Sequence, residues 1–374
     1  MAYENMTLLV NGRRAFPEII RCIEEATSSV EINIFIWRDD RIGNRMAQAV
    51  LTAADRGAKV YISVDRYGVV LEKCEECKRS FFHKKQNLTE KIKSRMLELF
   101  YPENTQPGTF RDEYTPLYQR IMSHPNITVS ADVFKADHSK YYIIDDRILF
   151  LGGVNIEDKE NGSDLSGRVY GDYMAKLEGP QYVRGFREKL SACRDTLEGL
   201  FFGLNRKEPV RRFEMEELYL DLINGAQEEL HITMAYFSPL EHFVEAILAA
   251  HRRGVRVTVL IPQRANFQND SNRRTVCRLL KESLGSIHVY FSPKMLHTKL
   301  VMNEKTISFG STNITKKAFN QLDELNLFVA NDDSEFARAM RDSIAADIRA
   351  AQPVTDHREV DYNRLMARME GFMV

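Results

Sequence analysis

Two stretches of the chain repeat one order of apolar and polar positions. They are residues 28–65, SSVEINIFIWRDDRIGNRMAQAVLTAADRGAKVYISVD, and residues 227–262, QEELHITMAYFSPLEHFVEAILAAHRRGVRVTVLIP. Each pattern predicts a buried strand, a loop, an amphipathic helix that ends at an Arg-Gly pair, and a second buried strand. The apolar runs Ile32–Trp37 and Val257–Ile261 are rich in β-branched residues, as strands covered on both faces are. Strands that alternate with helices in this way indicate βαβ units and mostly parallel sheets.

A second pair of matching segments follows the repeat. The first is HSKYYIID, from His138 to Asp145, and the second is HTKLVMNE, from His297 to Glu304. The two halves are therefore predicted to be duplicates of one α/β fold. We place the N-terminal half at residues 1–205 and the C-terminal half at residues 206–374, because the charged segment NRKEPVRR interrupts the pattern between them.

The first half carries an insertion. From the Arg-Gly glycine to the motif histidine the first half spans 81 residues and the second half 43, so the first has 38 more, within about residues 70–130. Residues 78–95 in this insertion contain seven basic residues and one acid. The neighbouring apolar residues are Phe81, Phe82 and, at helical spacing, Leu88, Ile92, Met96 and Leu99. Such a segment either lies in an anionic membrane interface with exposed aromatic rings or packs on the protein as a helical flap.

The last apolar stripe indicates a helix at the end of the second half. Its members are Phe336, Met340, Ile344 and Ile348. Their spacing of four residues predicts one apolar face, which we expect to dock on the domain.

Composition and charge narrow the class of protein. The chain is 44% hydrophobic and 28% charged, which excludes disorder as its main state. Its 52 basic and 53 acidic residues give a net charge of −1, without the basic excess of a general nucleic-acid binder. No apolar run approaches the ~20 residues that span a bilayer, and the first residues lack the order of a signal peptide. We therefore expect a cytoplasmic protein whose membrane contact is peripheral.

The five cysteines point to reduced thiols. An odd number of cysteines in a large chain without an export signal is typical of a reducing compartment. Cys74 and Cys77 form a single CxxC near His83, without a second pair at zinc spacing. We expect surface-helix thiols here and no metal.

The duplicated HxK pattern carries the chemistry. Residues two apart on a strand point to one face, so His138 projects with Lys140, and His297 projects with Lys299. Each motif is followed by a Gly-Gly or Gly-Ser turn and then by an asparagine, Asn155 or Asn313. Glycine and serine permit a close backbone approach, which we expect to bring each asparagine beside its own histidine and lysine.

Two such sets in one pocket suit a phosphodiester. Two lysines and two amides hold the non-bridging oxygens as preorganised donors. One neutral histidine attacks phosphorus while the other, protonated, donates to the leaving oxygen. Each ring then needs a carboxylate on its far nitrogen to orient it. Asp172 and Glu324 occupy corresponding places downstream of the two motifs, and we assign them this task.

These motifs resemble the phospholipase D superfamily, whose hallmark is a duplicated HxKx4D followed by a Gly-Gly or Gly-Ser turn and an asparagine. The likeness runs from about Leu8 to Asp332, and segments such as AADRGAKV, GDYMAKLEGP and MLHTKL look most like the cardiolipin synthases. The resemblance implies two α/β/α sandwich halves related by a pseudo-two-fold axis, with one shared active site. It also implies a phosphohistidine intermediate without metal or other cofactor, with His138 as the nucleophile and His297 as the acid.

The resemblance further implies transfer of a phosphatidyl group to an alcohol, typically a second phosphatidylglycerol, with release of glycerol. We therefore expect a phosphatidyltransferase that takes phospholipid substrates, binds no nucleic acid and lies peripherally on the inner face of the cell membrane. The sequence leaves open a phospholipase D hydrolase, a transferase with another acceptor alcohol and, against the near-neutral charge, a nuclease. Glu304 stands where the superfamily motif has aspartate, and we expect its carboxylate to support a strand equally well.

Overall fold

A computed structural model describes residues 5–70, 79–84, 87–98, 114–162 and 169–373. The predicted thiol pair Cys74 and Cys77 lies outside these residues. Up to residue 213 the strands are β1 (Met6–Val10), β2 (Ser29–Ile34), β3 (Lys59–Val64), β4 (Ile127–Ser130), β5 (Tyr141–Ile144), β6 (Ile148–Gly152), β7 (Tyr170–Gly171), β8 (Tyr173–Glu178), β9 (Leu200–Arg206) and β10 (Arg212–Phe213). The helices in this part are α1 (Asn11–Glu25), α2 (Arg41–Asp55), α3 (Arg66–Val70), α4 (Leu88–Glu98), α5 (Pro116–Ser123) and α6 (Pro180–Ala192).

The rest of the chain repeats this alternation. Its strands are β11 (Glu229–Met234), β12 (Phe237–Ser238), β13 (Arg256–Pro262), β14 (His288–Ser292), β15 (Met295–Leu296), β16 (Lys299–Asn303), β17 (Thr306–Gly310), β18 (Ile314–Thr315), β19 (Glu324–Ala330) and β20 (Gln352–Val354). Its helices are α7 (Met215–Gly225), α8 (Glu241–Arg252), α9 (Asn269–Glu282), α10 (Lys316–Asn320), α11 (Glu335–Ala350) and α12 (Arg364–Met373).

The predicted βαβ units are present in both halves. In the first, β2 pairs with β3 in parallel and α2 connects them. The side chain of Asp40 caps the start of α2 by accepting a hydrogen bond from the backbone N–H of Gly43 at 2.9 Å. The turns after α2 and α8 contain Gly57 and Gly254 at φ +110° and +94°, which only glycine adopts readily.

The two main sheets share one strand order. The first runs β1-β8-β6-β5-β2-β3-β4, and the second runs β10-β9-β19-β17-β16-β11-β13-β14-β20. From β9 to β14 the second order matches the first strand for strand, including the parallel set β11-β13-β14. The predicted duplicated α/β fold is therefore confirmed. The expectation of mostly parallel sheets was wrong: in the first sheet only β2-β3 and β3-β4 pair in parallel, and the remaining pairs are antiparallel, because β5 turns directly into β6 and the strands beyond them continue this alternation. Strand β9 joins the second sheet through β19, and the division at residues 205 and 206 stays a prediction.

Three apolar cores hold the layers together. One lies between the first sheet and helices α1 and α2, and its counterpart lies between the second sheet and helices α7 and α8. The third contains side chains of both sheets, among them Leu151 and Phe309, together with those of α6 and α11. Phe336, Met340 and Ile344 of α11 are buried in it, so the predicted docking of this helix is confirmed.

The start of the insertion packs against the first half of the protein. Phe81 and Phe82 are buried, with ring centroids 5.7 and 5.3 Å from that of Trp37. The backbone N–H of Phe81 donates to the carbonyl of Trp37 at 2.8 Å, which holds both rings against the first core. Of the two alternatives left open by the sequence, the one with exposed aromatic rings does not hold for Phe81 and Phe82, because tertiary pairing of this segment buries them. Leu99 lies outside the described residues.

Acidic side chains at the ends of the two motifs fix the start of a neighbouring strand. Asp145 accepts hydrogen bonds from the backbone N–H groups of Ser28 and Ser29 at 2.7 and 2.9 Å. Glu304 accepts the equivalent bonds from Gln227 and Glu228 at 3.2 and 3.3 Å. The expected support of the strand by Glu304 is confirmed, since its carboxylate also accepts from the N–H of Glu229 at 3.5 Å, and the tolerance of glutamate at this position stays a prediction.

We predict that Asp145→Ala destabilises the protein more than Asp146→Ala does. Both residues have positive φ values, 52° and 49°, so both substitutions place alanine in the same unfavourable backbone region. Asp146 makes an exposed ion pair with Arg187 at 2.7 Å, of the kind that contributes little. Loss of the charged hydrogen bonds of Asp145 should lower the free energy of unfolding by about 1–3 kcal/mol more. Denaturant unfolding measures both, and equal losses would contradict the assigned role of Asp145.

Candidate active site

Each HxK motif begins on a backbone bridge to the opposite half of the molecule. The N–H of His138 donates to the carbonyl of Asp323 at 2.8 Å, and the N–H of Asp323 donates to the carbonyl of Ala136 at 2.8 Å. In the second motif the N–H of His297 donates to the carbonyl of Gly171 at 2.8 Å, where β15 pairs in parallel with β7. Asp323 is followed by Glu324, and Gly171 is followed by Asp172. Each histidine therefore lies beside a carboxylate of the other half.

The two carboxylates face the Nδ1 atoms of the histidines in a crossed arrangement. Nδ1 of His138 lies 3.2 and 3.1 Å from the two oxygens of Glu324. Nδ1 of His297 lies 3.1 Å from Oδ2 of Asp172. All four side chains are buried. The sequence pattern singled out both acids without indicating which histidine each one faces, and the structure pairs them across the halves. Nε2 of each ring is thereby left to act on a substrate.

The two lysines lie in the interior next to their histidines. Lys140 donates through Nζ to the carbonyl of His138, and Lys299 donates to that of His297. Nζ of Lys299 also lies 3.5 Å from Oδ2 of Asp172. Burial, followed by the charge of Lys299, lowers the pKa of Lys140 to about 7. Two buried ammonium groups that repel each other favour a bound anion such as a phosphodiester.

The charged groups of the two motifs affect one another. Burial lowers the pKa of His138 well below its usual value, and the charges of Lys140, Lys299 and His297 lower it further. Burial raises the pKa of Glu324 to about 8, although the charges of Lys140 and Lys299 act in the opposite direction. Groups of the second motif therefore act directly on the histidine of the first. The net effect favours a neutral imidazole at His138.

The turn after each motif contacts the neighbouring acid. A Cβ on Gly153 would lie 2.2 Å from Oδ2 of Asp172, so only glycine fits there. Its counterpart Ser311 donates through Oγ to Oε2 of Glu324. The close approach expected of this turn is thus made to a carboxylate.

The two asparagines are buried in this part of the molecule. Oδ1 of Asn313 accepts a hydrogen bond from the backbone N–H of Tyr236 at 3.2 Å. Oδ1 of Asn155 has no hydrogen-bond partner among the described residues. The assignment of both amides to substrate oxygens stays a prediction.

Glu160 is a site residue that the sequence reasoning missed. Its Oε1 lies 3.1 Å from Nδ1 of His297, on the same ring nitrogen that Asp172 faces. The residue is buried within the segment IEDKE, which directly follows Asn155. Four charged residues in succession look like a solvated turn, so the local pattern gives no signal of burial. The only available clue is the position five residues after the motif asparagine.

Aromatic rings complete the walls around the histidines. The ring of Phe35 meets that of His138 edge-on at 4.9 Å between centroids. Tyr170 and Tyr236 lie 5.9 and 6.4 Å from His297. These rings limit the orientations open to the two imidazoles.

Comparison with known proteins identifies the family. A family model described as "Cardiolipin synthase, PLD-like domain" matches residues 19–168 and 219–348. The chain belongs to this family. Membership confirms the predicted phospholipase D superfamily and the predicted enzyme class, a phosphatidyltransferase. Both matched segments contain an HxK motif, as the duplication requires.

Curated relatives in the cardiolipin synthase family align over nearly the whole chain. Cardiolipin synthase B of Shigella flexneri is 28% identical over 96% of this chain and 83% of the relative. Cardiolipin synthase 2 of Staphylococcus epidermidis is 22% identical over 98% of this chain and 72% of the relative.

Solved structures agree in fold. The phosphatidylserine synthase of Haemophilus influenzae Rd KW20 superposes with a TM-score of 0.72 at 12% identity, covering 99% of this chain and 93% of that one. The polyphosphate kinase of Porphyromonas gingivalis gives a TM-score of 0.53 at 14% identity, covering 98% and 52%. At these identities the likeness concerns the fold alone. Within the described ranges, no helix is both long enough and apolar enough to cross a membrane.

The crossed pairing predicts which histidine responds to each acid. In NMR spectra of histidine-labelled protein, Glu324→Gln should shift the ring resonances of His138 more than those of His297. Asp172→Asn and Glu160→Gln should both act mainly on His297, because their carboxylates face its Nδ1. His→Gln variants supply the assignments. Larger shifts at the histidine of the same half would contradict the pairing of Asp172 and Glu324 across the halves.

Proposed function

We propose that this protein transfers a phosphatidyl group from one phosphatidylglycerol to a second, forming cardiolipin and releasing glycerol. The observation that carries the proposal is the pair of HxK histidines, each with Nδ1 within 3.1 Å of a carboxylate oxygen of the opposite half. This arrangement occurs in a chain of the cardiolipin synthase family, which supports a phospholipid as both donor and acceptor.

The first step forms a phosphohistidine on His138. The lone pair on Nε2 of His138 forms a bond to phosphorus, and the bond from phosphorus to the glycerol oxygen breaks. Protonated His297 gives its proton to that oxygen, so glycerol leaves as a neutral alcohol. A nucleophilic imidazole must be neutral. The lowered pKa of His138 therefore supports its assignment as the nucleophile.

The second step regenerates the enzyme. His297, now neutral, takes the proton from a hydroxyl group of the second phosphatidylglycerol. The resulting oxygen nucleophile forms a bond to phosphorus, and the bond from phosphorus to Nε2 of His138 breaks. Cardiolipin leaves, His138 is neutral again and His297 is protonated. Water in place of the acceptor would give phosphatidic acid, which is the hydrolase alternative.

Unequal carboxylates support the division of roles between the histidines. Asp172 and Glu160 both face Nδ1 of His297, so two carboxylates can orient this ring for proton transfer through Nε2. His138 faces Glu324 alone, and that carboxylate also accepts a hydrogen bond from Ser311. We assign Glu160 as a positioning residue for the acid histidine. Lys140, Lys299, Asn155 and Asn313 are assigned to the non-bridging oxygens of the phosphate.

The proposed location follows from the substrate. A phosphatidylglycerol donor resides in a bilayer, so the enzyme must contact a membrane surface to reach it. We assign it to the inner face of the cell membrane as a peripheral protein. No role for nucleic acid is proposed.

The products distinguish a synthase from a hydrolase. Incubation of the protein with phosphatidylglycerol vesicles should yield cardiolipin and free glycerol in equal amounts, as measured by lipid mass spectrometry and a glycerol assay. The His138→Ala variant is the control and should yield neither. Phosphatidic acid as the sole lipid product would replace the synthase proposal with a phospholipase.

Covalent labelling tests the roles of the two histidines. With a substrate that has an activated leaving group, His297→Ala should still form a phosphohistidine, because such a group leaves without an acid. His138→Ala should form none. The phosphohistidine is recognised by its lability in acid, and peptide mapping identifies the labelled histidine. Label on His297 in the wild-type protein would show that the two roles are reversed.

A further inference from the structure

Helix α4 in the insertion packs on the protein through its polar side. Glu90 and Ser94, one turn apart, are both buried. Glu90 forms a two-pronged ion pair with buried Arg66, with contacts of 3.4 and 3.2 Å, and the hydroxyl of Ser94 donates to the carbonyl of Val70 at 3.0 Å. Both partners belong to α3: Arg66 is its first residue and Val70 its last. They fix which face of α4 points inward.

A reciprocal cap strengthens the same attachment. The backbone N–H of Asn87 donates to Oε2 of Glu90 at 2.9 Å, and the N–H of Glu90 donates to Oδ1 of Asn87 at 2.9 Å. This is the capping-box arrangement that defines a helix start. Glu90 therefore both caps the start of the helix and anchors it to Arg66. Both interactions keep the side chain of Glu90 on the face of α4 that points toward the protein.

The apolar stripe of α4 points away from the protein as a result. Leu88, Ile92 and Met96 follow one another at one-turn spacing, and their exposed fractions are 75%, 54% and 59%. A surface helix of a globular protein normally buries this stripe and exposes its polar side. Helix α4 does the reverse, and such an exposed stripe indicates a contact with something apolar.

Positive charges flank the stripe on both sides. Lys91, Lys93 and Arg95 are exposed, and within the described part of the chain none of them makes an ion pair. At 100° per residue, Lys91 and Arg95 lie on one side of the stripe and Lys93 lies on the other. Apolar side chains bordered by unpaired cations are complementary to the apolar interior and anionic surface of a phospholipid bilayer. A protein partner would need an apolar patch bordered by acidic residues to match this face equally well.

The position of α4 links this face to the active site. Helix α4 rests on α3, and Tyr67 of α3 lies 6.0 Å from Phe35, whose ring meets that of His138 at 4.9 Å. Lys317 of the second half lies over the ring of Tyr67 at 5.1 Å. The helix therefore borders the catalytic region on the side of the proposed nucleophile.

We propose that helix α4 docks the enzyme on an anionic phospholipid bilayer, with Leu88, Ile92 and Met96 inserted among the lipid chains. The choice of a bilayer as the occupant rests on the proposed function, whose substrates are anionic bilayer lipids. Docking through this helix brings the His138 side of the site to the lipid surface.

The test measures binding of the full chain to sucrose-loaded vesicles by sedimentation. One set contains equal amounts of phosphatidylglycerol and phosphatidylcholine, and the other contains phosphatidylcholine alone. The wild-type protein should bind the anionic vesicles at least ~10-fold more tightly, with a strong dependence on salt. The triple variant Leu88→Gln, Ile92→Gln, Met96→Gln should bind them at least ~10-fold more weakly. Glutamine matches leucine in helix propensity, so the helix is preserved.

A matched control replaces an isolated apolar residue. Leu284, in the turn after α9, is 95% exposed, and Leu284→Gln should leave vesicle binding unchanged. Equal thermal midpoints of all variants exclude unfolding as the cause of any loss. The variant Lys91→Gln, Lys93→Gln, Arg95→Gln should lose the preference for anionic vesicles.

Two outcomes would overturn the proposal. One is wild-type vesicle binding by the triple glutamine variant. The other is a wild-type dimer in sedimentation velocity that the triple variant converts to monomer while vesicle binding persists, which would make the stripe a contact between two copies. The His138→Ala variant should bind vesicles like the wild type, so failure of the proposed catalysis and failure of docking give separate readouts.

Discussion

Each motif histidine depends on a carboxylate that the opposite half of the chain supplies. Glu324 faces Nδ1 of His138, and Asp172 faces Nδ1 of His297. Backbone bridges at Asp323 and Gly171 set these pairs, so the site forms only when the two halves dock. The apolar core shared by both sheets holds that docking in place. Because a carboxylate lies beside Nδ1 of each ring, Nε2 of each histidine is the nitrogen left for the proposed reaction at phosphorus.

The two halves differ in the residues that surround their motif histidines. The proposed chemistry needs such a difference, because the two histidines have different roles. Gly153 and Ser311 occupy matching positions, yet only the serine donates a hydrogen bond to its carboxylate, Glu324. Glu160 faces His297, whereas the matching position in the second half is Ala318, which has no charge. A symmetric pair would give both rings the same surroundings. These differences instead place the two histidines in unlike environments, as the proposed division into nucleophile and acid requires.

In the insertion, the neighbouring residues determine which face of the amphipathic helix α4 points toward the protein. The periodicity of Leu88, Ile92 and Met96 predicts a helix, and the helix is present. Periodicity alone cannot say which face turns inward, because that depends on what the helix meets. Arg66 provides a buried charge that pairs with Glu90, and leaving it unpaired would be strongly unfavourable. The polar side therefore turns inward and the apolar side outward, while Phe81 and Phe82 are drawn into the core beside Trp37.

The duplicated βαβ pattern, the two HxK strands, the supporting role of Glu304 and the candidate acids Asp172 and Glu324 could all be read from the chain before its fold was known. These features depend on spacing, periodicity and residue type, which are local properties. Three others required the folded molecule: which histidine each acid faces, the presence of Glu160 at His297, and the outward direction of the stripe on α4. Those features depend on contacts between segments far apart in the chain. A charged side chain can be buried at an acceptable free energy only when the fold brings its partner next to it.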